Sequence, residues 1–437
     1  MQIIRCLTFL VFATAVPLAH ADLELDKYEQ SIVQRVSAHL PAALADLETA
    51  VNINSGTMNF AGVKKVGDHY SKQFEALGFN TTWVDGAEFN RAGHLVALRL
   101  SALPNAPKLL LIGHLDTVFP EDDEFQRFRR IDDKRIAGPG ITDMKGGNSV
   151  MLLALRALED TGLLDQLSVI AVLTGDEEAS GKPLTNSKAA LIDAARWADI
   201  ALGFEDGDGN IRTAVIARRG SVNWSLSVSG RPAHSSQIFQ PEVGAGAVFE
   251  TARILNVMRE QLADKGLLTF NPGVMLGGTK VDYDSATSSG TAFGKTNVVA
   301  QTAQVVGGIR ASSPQELSEA KELMQKIVAD NLPHTSAELV FDEGYPPLAP
   351  SDGNRELLNR YSEISEALGY GPVVAVNPRN AGAADISFTA GHVAMALDGL
   401  GLMGSGGHTR DEVADISSLE KNAAKAALLM YRLSRPQ

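Results

Sequence analysis

The run LLLIGHLDTVFP, residues 109–120, constrains this chain more than any other segment. Four apolar residues lead directly into His114, and Asp116 follows two positions later. Such a run reads as a buried strand. Residues i and i+2 of a strand project to the same side, so His114 and Asp116 can work as a pair. One can bind a metal while the other holds it from behind, fixing the tautomer and raising ligand basicity.

The surrounding chain repeats the strand pattern. HLVALRL, KLLLIGHL, LSVIAVLT and DIALGFE are separated by helical stretches, including SVMLLALRALEDTG. Buried strands alternating with helices predict an α/β sheet covered on both faces. Helices are also expected over 26–50, where Pro41 should kink or divide the element, and over 63–77, ended by Gly78. The texture changes near Arg219. The strand SVNWSLSVSG, a helix from Val243 to about Lys265, the strand-like LLTFNPGVMLGG and NVVAQTAQVVGGIR, a helix from Pro314 to Asp330 and the strand AELVFD follow in turn. This β-α-β-β-α-β order predicts a small inserted α+β domain of ferredoxin-like type. The resulting division is 1–21 signal, 22–218 first catalytic part, 219–333 inserted lid and dimerisation domain, and 334–437 second catalytic part.

Arg5, an apolar stretch over 7–19 and the small-x-small run Ala19-His20-Ala21 read as a signal peptide cut after Ala21, giving a periplasmic or secreted protein. The apolar stretch falls short of the roughly 20 residues that span a bilayer, so no membrane span is expected. Cys6, the one cysteine, leaves with the signal, which excludes disulfides, zinc–thiolate sites and a cysteine nucleophile. The net charge of -13 argues against nucleic acid as a partner.

Further acids fall at or just beyond expected strand ends, where open α/β sheets place their sites. They are Asp143 in GPGITDMKGG, Glu177 and Glu178 in TGDEEAS, and Glu205 in GFEDG, with Asp206 and Asp208 as alternatives to the last; His408 stands in GSGGHTRDE. Zinc takes imidazole nitrogen and carboxylate oxygen, and cobalt or manganese suits the same donors. A two-metal site needs a ligand bridging ions about 3.5–4 Å apart, which a carboxylate can supply. Adjacent Glu177 and Glu178 cannot easily share a role, so one can bind metal while the other faces the attacking water. These residue types point to a metal-dependent hydrolase.

The ordered set GHLDTVFP, GPGITDMKGG, TGDEE, FE after DIAL, and GGHTRDE resembles the M20 family of zinc metallopeptidases, of the glutamate carboxypeptidase and aminoacylase type. The resemblance runs from about residue 25 to the end. It implies a zinc-exopeptidase-like fold with a mixed sheet, and two zinc ions per chain. His114, Glu205 and a bridging Asp143 would hold one ion; Asp143, Glu178 and His408 would hold the other. Asp116 would be the orienting aspartate, Glu177 the general base, and Asp143-Met144 a cis peptide. His234 in SGRPAHSS would reach a partner subunit's site across a homodimer and steady the oxyanion. Asn297 in GKTNVVA and Arg310 in GGIRAS would clamp a substrate carboxylate, although Gly308 stands where the family often has an acid supporting that arginine. Gly382, with Asp385 in GAADIS, resembles a glycine-rich substrate loop. Arg218 and Arg219 read as exposed hinge residues, and His39, His69, His94, His334 and His392 as structural or surface residues.

The function these readings imply is a carboxypeptidase acting on a small peptide or N-acyl amino acid, with glutamate as a possible leaving residue. An aminoacylase, dipeptidase or other N-acyl amino-acid hydrolase is the runner-up on the same fold. A non-catalytic periplasmic binding protein and a dinuclear phosphodiesterase or phosphatase are readings of other classes. A pure binder has no need of a base beside a metal ligand, which counts against the first of these.

Overall fold

A computed structural model describes residues 24–435 apart from 264 and 286. The expected signal, residues 1–21, lies outside the described residues. Six strands make the main sheet, in the spatial order Asn80–Asp85, Gly93–Arg99, Ser168–Thr174, Lys108–His114, Ile200–Gly203 and Met395–Leu397. The last four lie parallel, while the pairings made by the first two are antiparallel, so the sheet is mixed.

Alternation along Lys108–His114 explains why both faces are covered. Leu109 and Leu111 join a large core with the helices Lys27–Val51, Lys145–Asp160 and Ile416–Leu433. Leu110 and Ile112 point the other way and join Leu191, Ala195 and Phe388. Because neighbouring strands are parallel, their carboxyl ends share one edge. His114 closes one strand, Glu177 and Glu178 follow a second, and Glu205 follows a third.

A second sheet has four antiparallel strands in the order Thr269–Gly278, Thr302–Arg310, Ser221–Gly230 and Thr335–Tyr345. The helices Ala247–Leu262 and Pro314–Ala329 cover one face. Val222, Trp224, Leu226 and Val228 point into this core with Ile254, Met258 and Met324, while the intervening Asn223, Ser225, Ser227 and Ser229 face outward. Trp224 lies opposite Gly307, where a Cβ would come within 2.5 Å of the indole ring and 2.2 Å of the Asn271 carbonyl oxygen. Glycine there makes room for the largest side chain of this core.

Several expectations need correction. The first helix runs unbroken through Pro41, its buried residues Ile32, Val36 and Leu47 holding both halves against one core. The helix expected from Val243 starts at Ala247, because Gly244 and Gly246 take positive φ values of 76° and 78°. The Gly-, Ser- and Thr-rich stretch between LLTFNPGVMLGG and NVVAQTAQVVGGIR, read without strands, holds a two-stranded hairpin, Lys280–Asp284 with Ser289–Phe293, and Asn80–Asp85 adds an edge strand that its polar composition concealed. Arg218 is not an exposed hinge residue but 5% exposed, and Arg219 is partly buried, its guanidinium donating to the Leu267 carbonyl and Thr269 Oγ1.

No helix among the described residues is long and apolar enough to cross a membrane. Trp224→Ala should destabilise the second sheet and its helices by about 3–5 kcal/mol. A lowered melting transition in calorimetry checks this, and an unchanged transition would show that Trp224 does not carry this core.

Candidate metal centre

Asp143 stands at the middle of a converging set of side chains. Its Oδ1 lies 2.9 Å from His114 Nε2, and its Oδ2 lies 2.9 Å from His408 Nε2. Each imidazole meets a second carboxylate: His114 Nε2 is 3.7 Å from Glu205 Oε1, and His408 Nε2 is 3.1 Å from Glu178 Oε2. One carboxylate therefore faces two separate histidine–glutamate pairs, one through each oxygen. Ligand atoms of His114, Asp143 and Glu178 all lie within 4.8 Å of one another. The His408 side chain is 57% exposed, so the cluster opens to solvent on that side.

The donor set fits a cation. His114 Nδ1 lies 3.0 Å from the Asp116 carbonyl oxygen and 3.4 Å from Asp116 Oδ1. Burial disfavours its charge, but bonds to Asp116 and Asp143 raise its pKa well above the ordinary value, and Nε2 faces the oxygens of Asp143 and Glu205. Acceptors converging in this way require a shared proton or a metal. Glu178 Oε1 is buried without a hydrogen-bond partner among the described residues. Desolvation pushes Glu177 and Glu205 well above the usual carboxylate range, helped by neighbouring negative groups, and raises Glu178 as well. Bonds to Asp143 and Glu178 lift His408 to about 11. A buried group of carboxylates that cannot shed their protons alone is one that a divalent ion would relieve.

Each ligand is positioned by identifiable contacts. Asp116 is fully buried. Besides holding His114, its two oxygens accept the main-chain N–H groups of Glu177 at 3.1 Å and Glu178 at 3.2 Å, and Thr57 Oγ1 donates to it at 2.7 Å. A single carboxylate thus ties the strand carrying His114 to the turn carrying the two glutamates. Asn148 donates to the His114 carbonyl at 2.7 Å, and a Cβ on Gly113 would sit 2.1 Å from that amide's oxygen, so glycine is required before the histidine. The expected cis peptide joins Asp143 to Met144.

Some supports have no clear sequence signal. Buried Glu412 accepts N–H bonds from Gly140 at 2.9 Å, Thr142 at 2.8 Å and Asp143 at 3.2 Å, cradling the turn that presents Asp143. Its place four residues after His408 was the only hint. Asp398 accepts the Glu205 N–H at 3.3 Å and pairs with Arg218 Nη2 at 2.7 Å. Burial opposes the Arg218 charge, yet Asp398 and Glu205 hold its pKa above the ordinary value. Beneath the Glu177 turn, Lys188 bridges Asp176 at 2.9 Å and Asp385 at 3.0 Å, all three buried. Tyr345, at the end of the second sheet, donates its hydroxyl to the Glu177 carbonyl at 2.8 Å.

The remaining expected site residues stand apart from this cluster. His234 and Asn297 are exposed neighbours on the second sheet's loops. His234 Nδ1 meets Ser236 Oγ at 2.8 Å, and the Ser235 N–H donates to the Asn297 carbonyl at 2.9 Å. Arg310 ends the strand Thr302–Arg310, opposite Thr269. Burial first, then the charges of Arg310 and Arg379, lower the Arg219 pKa, with Glu316 opposing them, so both guanidinium groups act on Arg219. Gly382 is exposed with open space around it, and its carbonyl accepts from Arg218 Nη1 at 2.7 Å.

Residues 110–432 match the sequence profile of peptidase family M20/M25/M40. The chain belongs to that family. Carboxypeptidase G2 of Pseudomonas sp. (strain RS-16) is 25% identical over 414 residues, covering 93% of each chain. Succinyl-diaminopimelate desuccinylase of Maricaulis maris is 31% identical over 210 residues, which are 46% of this chain and 51% of that relative. Among solved structures, aminopeptidase PepT from Bacillus cereus has a TM-score of 0.69 at 19% identity, covering 91% of this chain and 99% of its own. The M20 family metallo-carboxypeptidase Sso-CP2 from Sulfolobus solfataricus has a TM-score of 0.61 at 17% identity, covering 90% and 99%. Both likenesses concern the fold. As an M20/M25/M40 peptidase with a histidine–carboxylate metal centre, the chain is a metal-dependent hydrolase of peptide or amide bonds.

Glu412→Ala should weaken metal affinity about 10–100-fold, as loss of a supporting partner does, measured by competition against a chelating indicator. Unchanged affinity would remove Glu412 from this supporting role. Metal affinity should also fall as pH is lowered, because the ligand atoms must shed protons to bind. Zinc titrations at acid and neutral pH check the direction.

Proposed function

We propose that the chain is a zinc carboxypeptidase that cleaves the amide bond to a C-terminal amino acid in a small peptide or N-acyl conjugate. The observation carrying this reading is the Asp143 carboxylate, with one oxygen facing His114 and Glu205 and the other facing His408 and Glu178. His114, Asp143 and Glu205 would hold one zinc, and Asp143, Glu178 and His408 a second. Bound cations would supply polarisation of the amide carbonyl and a lowered pKa for the water between them.

The chain's own side chains account for the rest. Glu177 has its main chain fixed by Asp116 and Tyr345, and it carries a raised pKa. It takes the water's proton and returns it to the leaving amine. Asp116 keeps His114 in the tautomer that presents Nε2. His234 would steady the oxyanion in a partner subunit's site across a homodimer, where a donor aimed at developing charge is worth about 3–4 kcal/mol. Asn297 and Arg310 would clamp the terminal carboxylate, and Gly382 would line the substrate loop. Glutamate is proposed as the leaving residue. The cluster of Arg219, Arg310 and Arg379 supports it, because glutamate brings two carboxylates.

The division into two units is part of the same reading. We take the inserted unit as ferredoxin-like, on its strand order and its β-α-β-β-α-β sequence. Its second crossing is placed after Tyr345 rather than at 333, since Thr335–Tyr345 is hydrogen-bonded to Ser221–Gly230. A periplasmic or secreted location rests on the signal sequence alone.

Glu177→Ala should leave a folded protein with unchanged metal content and turnover lowered about 10²–10⁴-fold, the range for a lost general base. Near-normal turnover would remove Glu177 as the base. Amidating the substrate's terminal carboxylate should abolish most activity of a carboxypeptidase, and full activity on the amide would favour a dipeptidase or aminoacylase.

A further inference from the structure

A cavity of about 510 Å3 opens beside the metal ligand Glu178 and belongs wholly to the main-sheet unit. That size suits a small-molecule group. Its apolar lining comes from Met58, Val118, Pro120 and Ala179. Met58 is 63% exposed and Val118 37%, which is costly for apolar side chains unless something covers them. The acids at its wall are Glu121 and Glu178, and among the described residues no lysine, arginine or histidine lines it.

The walls are held rigidly. Phe119 is buried and packs edge-on against Phe125 at 5.2 Å, so that its neighbours Val118 and Pro120 reach the cavity instead. Asn54 Nδ2 donates to the Phe119 and Pro120 carbonyls, each at 3.1 Å. The Thr57 N–H donates to the Thr117 carbonyl at 3.1 Å, and the Thr117 N–H to the Ser55 carbonyl at 2.9 Å, locking the two lining segments together. A Cβ on Gly56 would lie 2.4 Å from the Phe119 carbonyl oxygen, so the two segments are in direct contact. Pocket walls fixed in this way need little reordering on binding.

We propose that this cavity is the acyl subsite, that it takes a neutral apolar or aromatic acyl group, and that it rejects an anionic one. The assignment rests on the carboxypeptidase reading. There the terminal carboxylate belongs to the arginine patch of Arg219, Arg310 and Arg379, which shares no residue with the Glu178 cavity. The half of the substrate on the other side of the scissile bond is then the one left for the cavity beside Glu178. Apolar walls stabilise an apolar acyl group. A succinyl group would bring its free carboxylate against Glu121, among described lining side chains that include no cation, which distinguishes this chain from what the desuccinylase names of several relatives describe.

The test uses the zinc-loaded full chain and a series sharing one leaving amino acid, with acetyl, benzoyl and succinyl on its nitrogen. We expect benzoyl to exceed acetyl in kcat/KM by roughly tenfold or more, the scale of apolar pocket discrimination, and succinyl to be the slowest. Ala179→Trp, which fills the cavity from an exposed position, should collapse the benzoyl-to-acetyl ratio about tenfold through KM. Glu121→Lys should raise the succinyl-to-acetyl ratio by a similar factor. Succinyl as the fastest substrate of the unaltered chain, or ratios that neither variant moves, would overturn the subsite. Hydrolysis of no N-acyl amino acid at all would instead overturn the parent reading, and the subsite with it.

Discussion

The structure depends on keeping several buried carboxylates close together. Asp143, Glu177, Glu178 and Glu205 crowd one edge of the main sheet, and desolvation together with mutual repulsion disfavours their charged forms. Asp143 is the exception, since His114 and His408 hold its pKa below the ordinary value against the cost of burial. Only positive charge at both of its oxygens makes such an arrangement favourable. The imidazoles provide part of that, and the donors of His114, Asp143 and Glu178 fit a cation for the rest.

The scaffold resists this repulsion through a ring of outer contacts. Asp116 connects the histidine strand to the glutamate turn, Glu412 restrains the Asp143 turn, and Asp398 with Arg218 fixes the main chain at Glu205. Each is buried, and each satisfies main-chain N–H groups that would otherwise be stranded. Lys188 performs a related service lower down by neutralising Asp176 and Asp385. Tyr345 adds a contact of another kind, because it reaches from the second sheet to the carbonyl of Glu177. Any shift between the two sheets is therefore felt at the main chain of Glu177.

The metal cluster, the arginine residues and the apolar cavity draw on different parts of the chain. The metal cluster is built from parallel strand ends and two turns of the main-sheet unit. The arginines are Arg219 and Arg310, which flank the second sheet, and Arg379 from a distant loop. The cavity beside Glu178 is apolar and acidic.

The sequence by itself determined the strands, because an apolar run such as LLLIG can bury both faces only inside a covered sheet. It also pointed to the ligand types, because His and carboxylate donors remained once the single cysteine fell at position 6, within the expected signal. Its local patterns missed what depended on partners far along the chain. The polar edge strand Asn80–Asp85 has no apolar alternation, and the hairpin at 280–293 is hidden in Gly/Ser/Thr-rich texture. Arg218 looked like a surface cation until Asp398, 180 residues later, enclosed it. Glu412 was one acid among many until folding brought three N–H groups around it. Local pattern reports a residue's own preferences, whereas burial and pairing belong to two segments at once, and only the tertiary structure decides which segments meet.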